Sequence, residues 1–405
     1  MPDSVGKPLV LLLATQAILF VGVGACLPAL PLYGAALGLP ASATGVVIST
    51  PAVALLLLSR ASGGVVDNVG RKPAMLVGMA AIAISDAGTA LATGLPTLLV
   101  ARLGLGAGRS LSESGERAFL SDLAQRAPEL RGRALAAQQA VAAAGIAVGA
   151  PIGGAVVEEY GAPAAFLCVT AAALAALIGY SFLPETLEPG VAADDAEAAD
   201  DDAAEPDADA WLELIAEPRW RALAAAEAAS KIGTACKIAS IPVIAASLGG
   251  PTAAGGLLSA AGVAGLAGAP VGGYATDRFG ARATAAVSGT LSGAALLAVP
   301  AALTAPPEGV EPAAAFGGLV LAWAAGVAAQ APALTALAQR AAPPGKTATA
   351  LNLPRAVGDA AFIVAPAALG ALTDSAGAGA APAAAGACAL LGVAALAAWV
   401  EPESR

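Results

Sequence analysis

The sequence predicts an all-α membrane protein, with twelve transmembrane helices in two six-helix halves. Three observations predict it: charge is scarce, long apolar runs recur, and basic residues mark only every second loop. The chain of 405 residues is 58% hydrophobic and 12% charged, with a mean hydropathy of +0.76. A soluble domain carries about 25% charged residues. Half that fraction, combined with runs of about 20 apolar residues, is the composition of a chain that crosses the bilayer repeatedly.

Taken in order, the first run starts after Lys7 and spans roughly 8–35. Its "VGAC" ending at Cys26 imitates a lipoprotein leader, but the run continues past it to about Leu37. That is too long for a leader, so it is read as the first membrane helix. The second span, roughly 43–62, ends in the charged turn "GGVVDNVGRKP". The third, 73–93, carries Asp86. The fourth, 97–119, carries Arg102, Arg109, Glu113 and Glu116. The fifth, 134–157, is rich in Ala and Gly, and the sixth, 163–183, closes in "FLPET". A segment dense in Asp, Glu, Ala and Pro follows. It cannot bury a core, so it is read as a disordered or loosely helical linker between the halves. The second half repeats the plan with spans near 221–248, 253–275, 283–304, 314–337, 348–371 and 379–400. The domains are thus 1–183, the acidic linker 184–218, and 219–405.

Orientation comes from the loops. Those after even-numbered spans hold Arg71, Lys72, Arg126, Arg131, Arg133, Arg219, Arg221, Arg278, Arg282, Arg340 and Lys346. The alternate loops hold no Lys or Arg, but Glu158, Glu159, Glu308, Glu311 and Asp374. The positive-inside rule then expects both termini and the acidic linker in the cytoplasm, in a plasma membrane.

The charged turn recurs: "GGYATDRFGAR" at Gly272 echoes the turn at Gly63. "LAQRA" at Leu123 also recurs at Leu337, at nearly the same separation. Two matched landmarks indicate two halves in the same orientation. Such repeats place a substrate site at midplane between the halves.

The turn Gly63-x-x-x-Asp67-x-x-Gly70-Arg71-Lys72 resembles the signature loop of the major facilitator superfamily, and Gly273, Asp277, Arg278 and Gly280 repeat it. "ARLGLGAG", with Arg102, Gly106 and Gly108, is similar to that family's second motif. "GIAVGAPIGG", with Gly145, Gly149, Pro151, Gly153 and Gly154, resembles the antiporter motif of its drug/proton exporters. Asn68 stands where the family usually has Arg, Ala150 is extra before Pro151, and the first span lacks an acidic residue. The resemblance implies the major facilitator fold and a gate in which Asp67 meets the start of the eleventh span. It also implies a proton-coupling role for Arg102 and places the fourth span beside the central cavity.

The turn's residue types suit it. Gly63 is expected to let helices approach, Gly70 to permit φ > 0, and Asp67 to accept hydrogen bonds at the water boundary. Arg71 and Lys72 would reinforce that contact and anchor to lipid. Ionisable groups inside a membrane are costly and are usually paired or functional. The charges of the fourth span fall within a stripe of about 60° at 100° per residue, which must face protein or water. Asp86 and Arg102 lie at similar depth in an antiparallel hairpin and are expected to pair. Glu227 with Lys231, and Arg355 with Asp359, have the i,i+4 spacing of local ties. Lys237 and Arg109 are candidates for binding substrate charge. Glu113, then Asp359, are candidates for the group that carries a proton.

The chain has no histidine, so a carboxylate must carry any exchanged proton. Cys26, Cys168, Cys236 and Cys388 stand singly and read as core residues. No phosphate-cradling loop is present, which argues against ATP drive, and no catalytic constellation indicates an enzyme. The expected function is a secondary transporter working by alternating access, driven by a proton gradient without a cofactor, that exports a small organic solute. The alternatives are a facilitator or symporter of an organic anion, and a non-transporting sensor that uses the acidic loop. The bilayer and a small-molecule substrate are the expected partners, and nucleic acid is not.

Overall fold

A computed structural model describes residues 3–127, 131–187, 208–343 and 347–399. Six long helices come first: α1 (Asp3–Ala36), α2 (Ala41–Val69), α3 (Arg71–Ala90), α4 (Leu95–Arg126), α5 (Arg131–Tyr160) and α6 (Ala162–Ser181). The rest of the chain forms α7 (Ala208–Ala216), α8 (Pro218–Ala239), α9 (Ile241–Phe279), α10 (Ala281–Leu297), α11 (Val299–Thr304), α12 (Pro312–Ala341), α13 (Thr347–Ala376) and α14 (Ala380–Trp399). Prolines sit in the first turns of α4, α6, α8, α9, α11 and α12, where their missing N–H costs nothing.

Ten helical stretches among the described residues are long and apolar enough to cross a membrane. One of them, Pro218–Phe279, is 62 residues long and contains two predicted spans. It bends at Gly249 (φ −154°) and Gly250 (φ 79°), between the seventh and eighth spans. The remaining predicted span is α4, whose arginines and glutamates dilute its hydropathy. Two spans differ in detail from the expectation of unbroken helices. The seventh is interrupted at Ser240, just before Pro242, and the ninth at Ala298, just before Pro300. In both cases a proline removes a helical donor.

Large apolar side chains such as Leu57 (75% exposed), Ile84, Val100 and Leu391 are exposed. A lipid solvent tolerates such a surface and water does not.

The acidic segment 188–207 lies outside the described residues. The end of the predicted linker is the helix α7. It turns Leu214 and Trp211, three apart, onto a core containing Trp220, Leu223 and Leu334.

Packing divides the chain into two units. The first comprises Met1–Leu39, Val47–Ala198 and Pro251–Ser259; the second comprises Pro40–Val46, Ala199–Gly250 and Ala260–Arg405. In the first unit, Leu12, Met75, Met79, Phe119 and Tyr180 interleave from α1, α3, α4 and α6. At its residues 251–259, the Glu158 carboxylate accepts the backbone N–H of Thr252 (3.1 Å). In the second unit, the core combines large residues with Ala281, Ala285 and Ala350, which let helices approach closely. Asp374 accepts the backbone N–H groups of Ala41 (2.8 Å) and Ser42 (3.0 Å) at the start of α2. A carboxylate there completes the orphan donors of a helix N-terminus.

Candidate functional site

Within the first unit, the signature turn is built on Gly70, whose φ of 119° ends α2 and starts α3. The Gly70 N–H donates to Val66 O (3.1 Å), closing the last turn of α2. A Cβ at Gly70 would strike the Glu185 carboxylate, so the position also needs the missing side chain. Glu185 is the acid of "FLPET". Its two oxygens accept the N–H groups of Arg71 (3.1 Å) and Lys72 (3.0 Å), and so it caps α3. The Arg71 guanidinium bridges two acids: Nε lies 3.1 Å from Asp122 and Nη1 3.4 Å from Asp67. Thr186 donates to the same Asp122 oxygen at 2.6 Å. The turn is thereby tied to α4 and to the chain leaving α6. In the sequence the turn itself is evident, but no motif marks a role for Asp122, Glu185 or Thr186. Only "FLPET" hints at them.

Asp67 itself is 62% exposed and pairs with Arg71. Residues 344–346, before α13, lie outside the described residues; the implied partner of Asp67 falls beside them. Lys72 contributes its backbone N–H to the cap of α3. Asn68, in the family's Arg position, donates to Gly64 O (2.6 Å) within its own helix. Gly63 corrects an expectation: a Cβ there would meet nothing within 4 Å, so no close helix approach depends on it, and Gly273 is equally open. In the second unit, Gly280 repeats the positive φ (89°), while Asp277 and Arg278 are exposed, and Arg278 lies over the Phe279 ring. Arg282 donates to Ala397 O on α14 (2.7 Å).

The charges of α4 separate by depth. Arg102 and Asp86 pair across the α3–α4 hairpin at 3.7 Å, both almost fully buried, as the hairpin register predicts. The guanidinium also lies 5.0 Å from the centre of the Phe166 ring, a cation–π contact. Its Nε and Nη2 are buried without a hydrogen-bond partner among the described residues. Gly106 packs on the backbone of α2 at Pro51, and Gly108 on that of α3 at Gly78, so the second motif gives α4 two backbone-to-backbone contacts. Farther along, Glu113 is bracketed on its own helix by Arg109 (2.7 Å) and Arg117 (3.3 Å) and remains partly exposed. Glu116 is instead buried, at 8% exposure, and accepts hydrogen bonds from Gln16, Ser112 and Tyr180.

The antiporter-like motif on α5 forms a seam against α1. Gly145, Gly149 and Gly153, four apart, meet the α1 backbone at Phe20, Val21 and Ala25. Any side chain there would separate the helices. Gly154 faces residues 251–255, and Pro151 lies inside the helix.

In the second unit, Lys231 on α8 pairs with Asp359 on α13 at 2.8 Å. The expected i,i+4 ties within each helix are therefore replaced by a bridge between helices. Gly358 admits this packing, since a Cβ there would press on the stems of Glu227 and Lys231 at 3.0 Å. Glu227 and Arg355 lie near this bridge, on the same two helices. Arg355 is exposed. Lys237, half-buried, has no ion-pair partner among the described residues.

The family model described as Major Facilitator Superfamily matches residues 12–230 and 223–405. Multidrug resistance protein 1 of Bacillus subtilis (strain 168) is 27% identical over 177 residues, 44% of this chain and 45% of that protein. The vesicular acetylcholine transporter of Drosophila melanogaster is 30% identical over 126 residues, 31% of this chain and 22% of that protein. The chain thus matches less than half the length of either relative. Among solved structures, a D-xylose-proton symporter superposes with a TM-score of 0.75 at 14% identity, covering 97% of this chain and 98% of that one. The nucleoside transporter NupG gives 0.73 at 14% identity, covering 97% and 100%. At such identities the likeness concerns the fold. With the family model matched across nearly the whole sequence, and the helical framework and signature turns beneath it, the chain belongs to the Major Facilitator Superfamily.

Proposed function

We propose that this transporter exports a small organic solute in exchange for protons, by alternating access in a plasma membrane. The observation that carries the reading is the α5 seam. The motif that resembles the one in drug/proton exporters folds as an unbroken glycine ladder on α1. The multidrug resistance protein of Bacillus subtilis, similar over 177 residues, supports the same direction. In this reading Asp67 belongs to a cytoplasmic gate, Arg109 and Lys237 meet negative charge on the substrate, and both termini are cytoplasmic. A proton gradient supplies the drive and no cofactor takes part.

The test is solute flux in proteoliposomes, with and without a pH gradient. An exporter accumulates solute against its concentration only when the gradient is present. Equal downhill flux under both conditions sinks the exchange reading. Orientation is checked by cysteine labelling of whole cells. Cysteines at Gly161 or Pro307 are expected to label from outside, and one at Ala203 only after permeabilisation.

A second reading, a facilitator or symporter of an organic anion, is favoured by Lys237, a half-buried cation with no ion-pair partner among the described residues. Lys237→Gln would then abolish uptake of an anionic solute.

A further inference from the structure

Besides Asp86, which Arg102 pairs, the first unit buries a second carboxylate, Glu116, and nothing in the signature motifs touches it. Three helices converge on it. Gln16 of α1 donates from Nε2 to Oε2 at 2.8 Å, Ser112 of α4 donates to Oε1 at 2.8 Å, and Tyr180 of α6 donates to Oε1 at 3.0 Å. Gln16 and Tyr180 are both fully buried. All three donors are neutral.

Among the described residues, the surrounding elements supply no counter-charge. The titratable groups beside Glu116 are Tyr180 and, on its own helix, Glu113, a like charge whose field reaches it. Arg109 and Arg117 are turned to Glu113. On α3, Met75 lies against α4 at Gly115, and Arg71 directs its guanidinium to Asp67 and Asp122. On α1 no ionisable residue lies between Lys7 and Cys26, and on α5 none lies between Arg133 and Glu158. A charge so enclosed is costly unless something balances it.

One further atom makes the arrangement more than a structural tie. The Oε1 of Gln16 is buried and has no hydrogen-bond partner among the described residues. It belongs to the same amide whose N–H group meets the carboxylate. Turning that amide over presents Oε1 to the carboxyl in place of Nε2. The cage therefore suits both states of the acid. The ionised carboxylate takes three donated hydrogen bonds. The protonated acid keeps those from Ser112 and Tyr180 on Oε1 and donates its own O–H from Oε2 to the turned Gln16 Oε1.

We propose that Glu116 is a proton-binding site, with Gln16 as a reversible partner that donates to its ionised form and accepts from its protonated form. Resting on the exporter reading, we assign the exchanged proton to this site rather than to Glu113. The proton comes from water on one side of the membrane, adds to Oε2, and leaves to water on the other. No bond other than O–H is made or broken. The step alters the hydrogen bonding of α1, which is how proton uptake would bias the unit.

Infrared difference spectroscopy on the purified full chain, between acid and alkaline pH, tests the site without transport. Within the carbonyl absorption of all its carboxylic acids, wild type is expected to show one component band that Glu116→Gln lacks and Glu113→Gln keeps. A carbonyl absorption unchanged in Glu116→Gln overturns the proposal. Tyr180→Phe removes a hydrogen bond from the carbonyl oxygen and is expected to move the band to higher frequency. An unmoved band overturns it equally, even if Glu116→Gln fails to fold. Flux then separates site from function. Glu116→Gln is expected to lose pH-driven accumulation while keeping exchange at equal pH. If wild type shows the band but no response to a pH gradient, the exporter reading fails and the proton site stands. If Glu116→Gln retains full pH-driven accumulation, the assignment of the exchanged proton to Glu116 fails, even where the exporter reading holds.

Discussion

At the end of α2, Gly70 turns the chain with φ 119°, and Arg71, Asp122, Glu185 and Thr186 then lock the turn to two other segments. At the end of α9, Gly280 turns it with φ 89°, and the acid and base of the repeated motif stand exposed. The acid and the turn glycine are the same in both, but the base that follows the glycine is not. Aligning Asp67 with Asp277 sets Arg71 against Ala281, which is buried in the core of the second unit. Aligning the two "LAQRA" stretches sets Asp122 against Ala336. Both ends of the ion pair are missing from the second unit. A repeated glycine thus specifies the backbone reversal, while partners contributed from elsewhere in the unit decide whether the turn is tied down.

The comparison breaks most readily at Asp122. Asp122→Ala leaves Arg71 and Thr186 without their shared acceptor in a partly buried place. It is expected to destabilise the purified protein by about 2 kcal/mol, whereas Ala336→Ser, its counterpart, changes stability by less than about 0.5 kcal/mol. Thermal melts in detergent read both, and equal effects would mean the web at Asp122 carries no weight.

A smaller effect sharpens what the glycines share. Gly70→Ala and Gly280→Ala each force a side chain into a positive φ, at about 1 kcal/mol. Gly70→Ala must also displace the Glu185 carboxylate from the start of α3, so it is expected to cost about 1 kcal/mol more than Gly280→Ala. Should Gly280→Ala prove the more harmful, the cap by Glu185 is not a stabilising contact.

The smallest stability change is expected at Asp67, whose side chain is 62% exposed. Its ion pair with Arg71 is screened by water, so Asp67→Asn should alter stability by only a few tenths of a kcal/mol. Transport is the informative measurement. A several-fold change in flux with unchanged melting would mark a gate. Flux that stays at the wild-type level would leave Asp67 as a turn residue only.

Much of this was legible in advance, where one helix or one hairpin contains the whole argument. The depth match of Asp86 and Arg102 follows from counting residues back from the turn at Gly94, and the structure pairs them. The positive φ at Gly70 follows from the reversal between two helices. The glycines of α5, at intervals of four, already form one face. Misreadings arose where a partner comes from a distant stretch. Lys231 and Asp359 each had a complementary charge four residues away, yet they bridge to each other between α8 and α13. Gly63, expected from its residue type to let helices approach, faces open space.

By itself, the sequence determined the helical membrane class, the repeat and the backbone of its turns. Apolar length, loop charge and glycine position are local properties, readable in order along the chain. Only the tertiary structure decided which of two neighbouring glutamates is enclosed. Glu113 and Glu116 are three residues apart on the same charged stripe; α4 offers Glu113 an arginine four residues to either side, but nothing in α4 shows that Glu116 is enclosed. Burial and polarity at that depth depend on what α1 and α6 bring against each face: Gln16 and Tyr180 close over one carboxylate, while Arg109 and Arg117 hold the other at the partly exposed surface.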